Sequence, residues 1–194
     1  MLGQHQVTSQ PLTPPPVTPE MREAARTQPG GWVYAIDPTF DPNGHVPGWA
    51  VRGAYRVDNE GEIHGDFVPN PDYRPSPAAL NLPQPANDLE RALQLAATGY
   101  GAEDQLMSAL LDTNLFLFAQ HDQPGRLHIR RDPSGRATLQ AFSSESQLPA
   151  EWTTWQQSRG RDLAPALVSC DLHINPGSSV TVKIPGEAII AATA

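Results

Sequence analysis

The prolines constrain this chain most, because they are not spread evenly. Pro11, Pro14, Pro15, Pro16 and Pro19 crowd one short stretch, and Pro69, Pro71, Pro75, Pro77, Pro83 and Pro85 crowd another. Each proline lacks a backbone donor and pushes its predecessor out of the helical region. No uninterrupted helix or central strand can run through either stretch. The chain therefore reads in three parts: a disordered Pro-rich tail over residues 1–28, a β-rich and Pro-rich segment over 29–86 that packs on the main body, and an α/β domain over 87–194.

The first part mixes its prolines with Gln, Thr and Ser, a composition that cannot build a core and favours extended conformations. Its PxxP spacings (Pro11 to Pro14, Pro16 to Pro19) are cheap in any Pro-rich run. Thr18 followed by Pro19 is a start signal for a short helix through Arg26. In the second part, Trp32-Val-Tyr-Ala-Ile36 and Ala50 to Val57 are strand candidates. Val51, Gly53, Tyr55 and Val57 share one face of the second strand, and Arg52, Ala54 and Arg56 share the other. The Pro-rich stretch that follows reads as a semi-rigid connector with one helical turn near Pro77 to Leu80.

The third part carries the periodic patterns. Asn87 and Glu90 have capping-box spacing, Leu89, Ala92, Leu93 and Ala96 fall on one helical face, and Gly99 ends that helix. A second helix places Leu106 and Leu110 inward, and Leu115 to Ala119 is a buried strand. Leu127 to Arg130 and Ala137 to Phe142 are strands joined by the turn Asp132-Pro-Ser-Gly135. Ser144 and Gln147 repeat the capping spacing and predict short helices around Trp152 and Trp155. Asp171 to Ile174 and Val180 to Ile184 form a hairpin across Asn175-Pro-Gly-Ser178, a type II turn sequence, before a last helix from about Gly186.

Charge and cysteine narrow the function. A net charge of −8 argues against a nucleic-acid partner, because phosphate neutralisation needs clustered Lys and Arg. The densest basic spot, Arg126 to Arg136, reads as a solvated hairpin face. Cys170 is the single cysteine, so there is no internal disulfide and no multi-cysteine zinc site. The N-terminus lacks a basic segment followed by an apolar run, and Leu115 to Ala119 is too short to span a bilayer. The expectation is a cytoplasmic protein without membrane insertion.

The search for chemistry centres on Asp37-Pro-Thr-Phe-Asp-Pro-Asn-Gly-His45. As a calcium loop it fails: with Gly44 at position 6, position 1 is Thr39 and position 12 is Ala50, and with Asp37 first, Pro42 falls where glycine is required. Two consecutive turns explain it better, with both aspartates solvated. An acid/base pair of Asp37 and Asp41 would need environments that split their pKa values, and a hydrolase built on that pair is the enzymatic alternative. His128 and His173 lie on neighbouring strand candidates without a third ligand. There is no Walker loop, GxGxxG or GxSxG. No catalytic, metal or cofactor residue is assigned. What remains is a set of aromatics in turn-rich contexts, Trp32, Tyr34, Phe40, Trp49, Tyr55 and Tyr73, of the residue types that anchor protein interfaces.

These strings carry a resemblance. Trp32 to Pro38, Val46 to Val57 and Pro69 to Pro77 resemble the N-terminal part of actinobacterial type VII secretion system-associated proteins. Leu93 to Gly101, Ala141-Phe-Ser-Ser-Glu145 and Leu172 to Ser178 resemble the SseB N-terminal domain family. The resemblance implies an α/β (α+β) fold with a mixed central sheet flanked by helices. It implies a non-catalytic accessory protein, such as a chaperone, adaptor or regulator, whose partner is a secretion-system substrate or component protein. A homo-oligomer is compatible with it. Tyr100-Gly-Ala-Glu-Asp104 has the YxxxD/E spacing of exported substrates, but it lies between two helices and no WxG occurs, so the chain reads as an associate of the machinery. A cytoplasmic immunity protein against an exported toxin is the alternative that its acidity suits.

Overall fold

The computed structural model describes residues 5–7, 13–119, 125–131 and 135–194. The chain forms two compact units: one is Ser9–Leu82, and the other joins Met1–Thr8 to Pro83–Ala194. Strand β1 (His5–Val7) thus precedes the first unit in sequence yet belongs to the second.

The Ser9–Leu82 unit begins with α1 (Pro19–Thr27). Thr18 caps it through the Met21 N–H, and Pro19 opens it, as the start signal predicts. Within the stretch read as a tail, α1 is therefore a packed helix. Its Ala25 is fully buried with Val33 and Val57, and Met21 and Ile63 lean on that cluster. The sheet beneath is three-stranded: β2 (Trp32–Ile36), β3 (Val51–Val57) and β4 (Ile63–Pro69), antiparallel in that order. In β2, Val33 and Ala35 are buried while Trp32 and Tyr34 are exposed; in β3, Gly53, Tyr55 and Val57 are buried on the expected shared face, but Ala54 on the other face is buried too. The predicted helical turn is present where Leu80 N–H donates to the Ser76 carbonyl.

Among the described residues, the other unit holds a seven-stranded sheet in the order β1-β10-β9-β7-β5-β8, with β6 also on β7. The strands are β5 (Asn114–Phe118), β6 (Ile129–Arg131), β7 (Ala137–Phe142), β8 (Trp155–Arg159), β9 (Asp171–Ile174) and β10 (Val180–Ile184). β7 and β9 run parallel and every other pair is antiparallel, so the sheet is mixed, as expected for an α/β (α+β) fold. Helix α2 (Asp88–Thr98) packs on β1 and β10, α3 (Glu103–Asp112) packs on α2, and α4 (Gly186–Thr193) packs on α3. α2 buries Leu89 and Leu93, α3 buries Leu106 and Leu110, and the sheet buries Leu115, Leu139, Leu172 and Val182. Gly99 closes α2 at φ 76°, a conformation that a β-carbon penalises.

Trp152 and Trp155 depart from expectation. The capping spacing at Ser144 produces only the 3₁₀ turn Glu145–Gln147, and the Ser144 side chain does not cap it. Trp155 opens strand β8 instead, paired with β5 from Phe118 back to Asn114. Trp152 sits in a turn and packs edge-on to Phe118 and Phe142, at ring-centroid distances of 5.2 and 5.0 Å. The Asn175-Pro-Gly-Ser178 turn is as predicted, with Gly177 at φ 85° and the Ser178 N–H donating to the Asn175 carbonyl. The turn predicted at Asp132 to Gly135 falls mostly outside the described residues.

Candidate functional site

The six aromatics of the first unit divide into two groups. Trp32 and Tyr34 project from one face of the three-stranded sheet and are 40% and 59% exposed. Cross-strand register builds two rows on that face: Trp32–Arg56–His64 and Tyr34–Ala54–Val68. Val68 is 50% exposed, so the second row ends in an open apolar side chain. Arg56 is exposed between Trp32 and His64, and His64 in turn pairs with Asp58 at 2.9 Å. The two rows form an aromatic and aliphatic surface edged by a cation.

The other four aromatics hold the unit together. Tyr55 is buried on the opposite face, its ring 5.0 Å from that of Phe67, and its hydroxyl donates to the Pro15 carbonyl. Phe40 and Trp49 stack edge-on at 5.5 Å, half-buried, across the loop between β2 and β3. The Tyr73 hydroxyl donates to the Asp37 carboxylate at 2.8 Å.

That last contact corrects the reading of Asp37. The stretch does form two turns, closed by Phe40 N–H to Asp37 O and Gly44 N–H to Asp41 O. Asp41 is exposed and its carboxylate accepts the Asn43 N–H. Asp37 is not solvated: it is fully buried. Its carboxylate accepts from Thr39 N–H at 2.9 Å, Ser76 N–H at 3.0 Å and Tyr73. Burial pushes this carboxyl up, but the hydrogen bonds from Ser76, Thr39 and Tyr73 outweigh it and hold it below the ordinary aspartate value. Its oxygens are engaged in pinning the Pro-rich connector to the β2 end, a structural task that no local pattern announces.

A second polar cluster lies in the other unit, where the start of α2 meets the ends of β7 and β9. Asn87 caps α2 through the Glu90 N–H, and the Glu90 carboxylate reaches back to the Ala86 N–H, one residue beyond the usual capping box. The other Glu90 oxygen accepts from the Ser143 and Ser144 hydroxyls at 2.8 and 2.6 Å. Asn175, held at φ 50°, accepts the Ser143 N–H through its side-chain oxygen and donates its amide to the Ser143 hydroxyl at 2.8 Å. Ser178 donates to Gln147. Glu90, Ser143 and Asn175 are all buried, so each needs these partners. The cavity beside them is about 20 Å³, room for a water and no more. The arrangement braces the helix start against two strand ends.

The remaining candidates stay apart. His128 packs edge-on to Phe118 at 4.9 Å, while His173 meets the Thr181 hydroxyl at 2.9 Å. Cys170 is buried, and desolvation pushes its thiol up, away from a reactive thiolate. Among the described residues no group of three or more His, Cys, Asp or Glu side chains is placed to hold a metal ion. No helix among them is long and apolar enough to cross a membrane.

A mixed sheet with helices packed on it, a buried carboxylate–hydroxyl–amide brace and an aromatic face on a small second sheet define a two-unit α+β protein built around packing and surface. Residues 89–191 match the model of the SseB protein N-terminal domain, and the chain belongs to that family. The matched region includes Glu90, Ser143, Ser144 and Asn175, while Ala86 and Asn87 precede it. No curated protein and no solved structure matches the chain.

Proposed function

We propose that this protein is a non-catalytic accessory component of a type VII, ESX-like secretion system. It acts by binding a substrate or component of that system. Family membership supports a secretion-related role for the second unit. The observation that carries the binding reading is the exposed pairing of Trp32 and Tyr34 on one sheet face, continued by Val68. Exposed Trp and Tyr beside an arginine are the composition of interface anchors. Large exposed apolar side chains such as Tyr34 and Val68 gain when a partner covers them.

The test is affinity purification of the tagged protein from its native host, with mass spectrometry of what co-elutes. The expected result is a protein of the export system, recovered with the natural chain and lost with a Trp32→Ala, Tyr34→Ala double variant of unchanged melting temperature. Recovery that is equal for both chains would remove the sheet face from the function. Rescue of cells from a neighbouring exported toxin on co-expression would support the immunity reading instead.

A further inference from the structure

The sheet of the second unit ends on one side at β10, and β10 is covered there by three residues from the far end of the chain. β1 pairs with it at His5–Val182, Gln6–Thr181 and Val7–Val180. Between β1 and the rest of its sheet the chain runs through the whole Ser9–Leu82 unit. β10 itself is five residues long and fully built: Val180, Val182 and Ile184 are buried, and its inner side pairs with β9. α2 packs over both β1 and β10.

Two physical consequences follow. A ladder of three residues joined to its partner by nearly the entire chain has little local stability and a large loop-closure cost, so it opens well before the sheet does. Once it opens, β10 presents a row of unpaired N–H and C=O groups, which is a template for another strand.

We propose that the outer edge of β10 is a strand-receiving site, held in cis by β1 and taken in trans by an extended segment of a partner protein. The chain itself shows which ligand the edge accepts, because a strand is already seated there in antiparallel register. Recognition would run through the main chain. Apolar residues at alternate donor positions would continue the Val180, Val182, Ile184 face. This goes beyond the aromatic-face reading: it uses the backbone of the other unit, and either proposal can fail while the other stands.

The test uses the full chain and a fluorescein-labelled peptide with the sequence of residues 1–12. Gln6→Pro fixes φ and removes an N–H in the middle of β1, which should unseat it without touching β10. The expected result is anisotropy-detected binding of the peptide to the Gln6→Pro chain, at least about tenfold tighter than to the natural chain, whose tethered strand competes at high effective concentration. A proline-substituted peptide should bind neither. Equal binding to both chains, or binding to neither, would overturn the proposal. A Gln6→Pro chain that fails to fold by circular dichroism would overturn it too, because β1 would then be integral to the sheet. A natural chain that sediments as a dimer at the assay concentration would assign the edge to exchange between copies, against a partner protein.

Discussion

Replacing Asp37 tests the claim that a buried carboxylate holds the first unit together. In Asp37→Ala the Ser76 N–H loses its acceptor inside the protein, at a cost of about 1–3 kcal/mol. The half-buried Tyr73 hydroxyl loses its partner but can turn to water, at about 0.5–1.5 kcal/mol. Thr39 is exposed, and solvent replaces its bond at little cost. The expected loss is about 2–4 kcal/mol against a typical total of about 5–15 kcal/mol. Peptide-resolved hydrogen exchange reads it directly. Protection over β2 and β3 should fall by about 30- to 1,000-fold, with no change over α3 and β5. Acid gives an independent check. A carboxyl held below its unfolded value stabilises above about pH 4, and that stability is lost as pH falls through the lower folded value. Asp37→Asn keeps one oxygen for Ser76 and removes the titration, so it should be less damaging than alanine and should flatten this acid dependence. Protection within about threefold of the natural chain in Asp37→Ala would refute the reasoning.

Other substitutions separate brace from bulk. Glu90→Ala removes the shared acceptor of two hydroxyls and the Ala86 N–H, but Ser143 keeps Asn175, Ser144 keeps Ser146 and Ala86 is exposed, so the urea-unfolding stability of the SseB-family domain should fall by about 1–3 kcal/mol, while Ser144→Ala alone costs under about 1. Asn175→Gly keeps the left-handed backbone and loses only the side-chain bonds, so Asn175→Ala should be worse than Asn175→Gly by about 1 kcal/mol in the same assay. Gly160→Ala would drive a β-carbon into the Leu110 carbonyl oxygen at the end of α3, and a drop in melting temperature matching about 1–3 kcal/mol is expected. Tyr34→Ala, at an exposed position, should leave the melting temperature within about 1 °C.

Elements with a local cause were legible in the sequence. α1, α2 and the Asn175 to Ser178 turn each rest on a cap, a proline or a glycine within a few residues. β8 was not legible, because Trp-Gln-Gln-Ser-Arg shows no apolar alternation and becomes a strand only by pairing with β5. Asp37 read as a turn residue since its turn partners are adjacent, whereas Tyr73 and Ser76 come from a separate Pro-rich stretch. Glu90 was visible as half of a capping box. Its bonds to Ser143 and Ser144 join residues more than fifty positions apart, and no periodicity encodes them. β1 gave no signal of its own, because three polar-flanked residues form a strand only when β10 is there to receive them.

The position of β1 also orders events during synthesis. Its residues leave the ribosome before those of β10, which follow every other strand described. At about 5–20 residues per second, the N-terminal strand waits roughly 10–35 s for its partner. The Ser9–Leu82 unit is complete long before then. The sheet edge closes only once β10 has been made, so a chain that stops short of β10 leaves β1 without its partner strand.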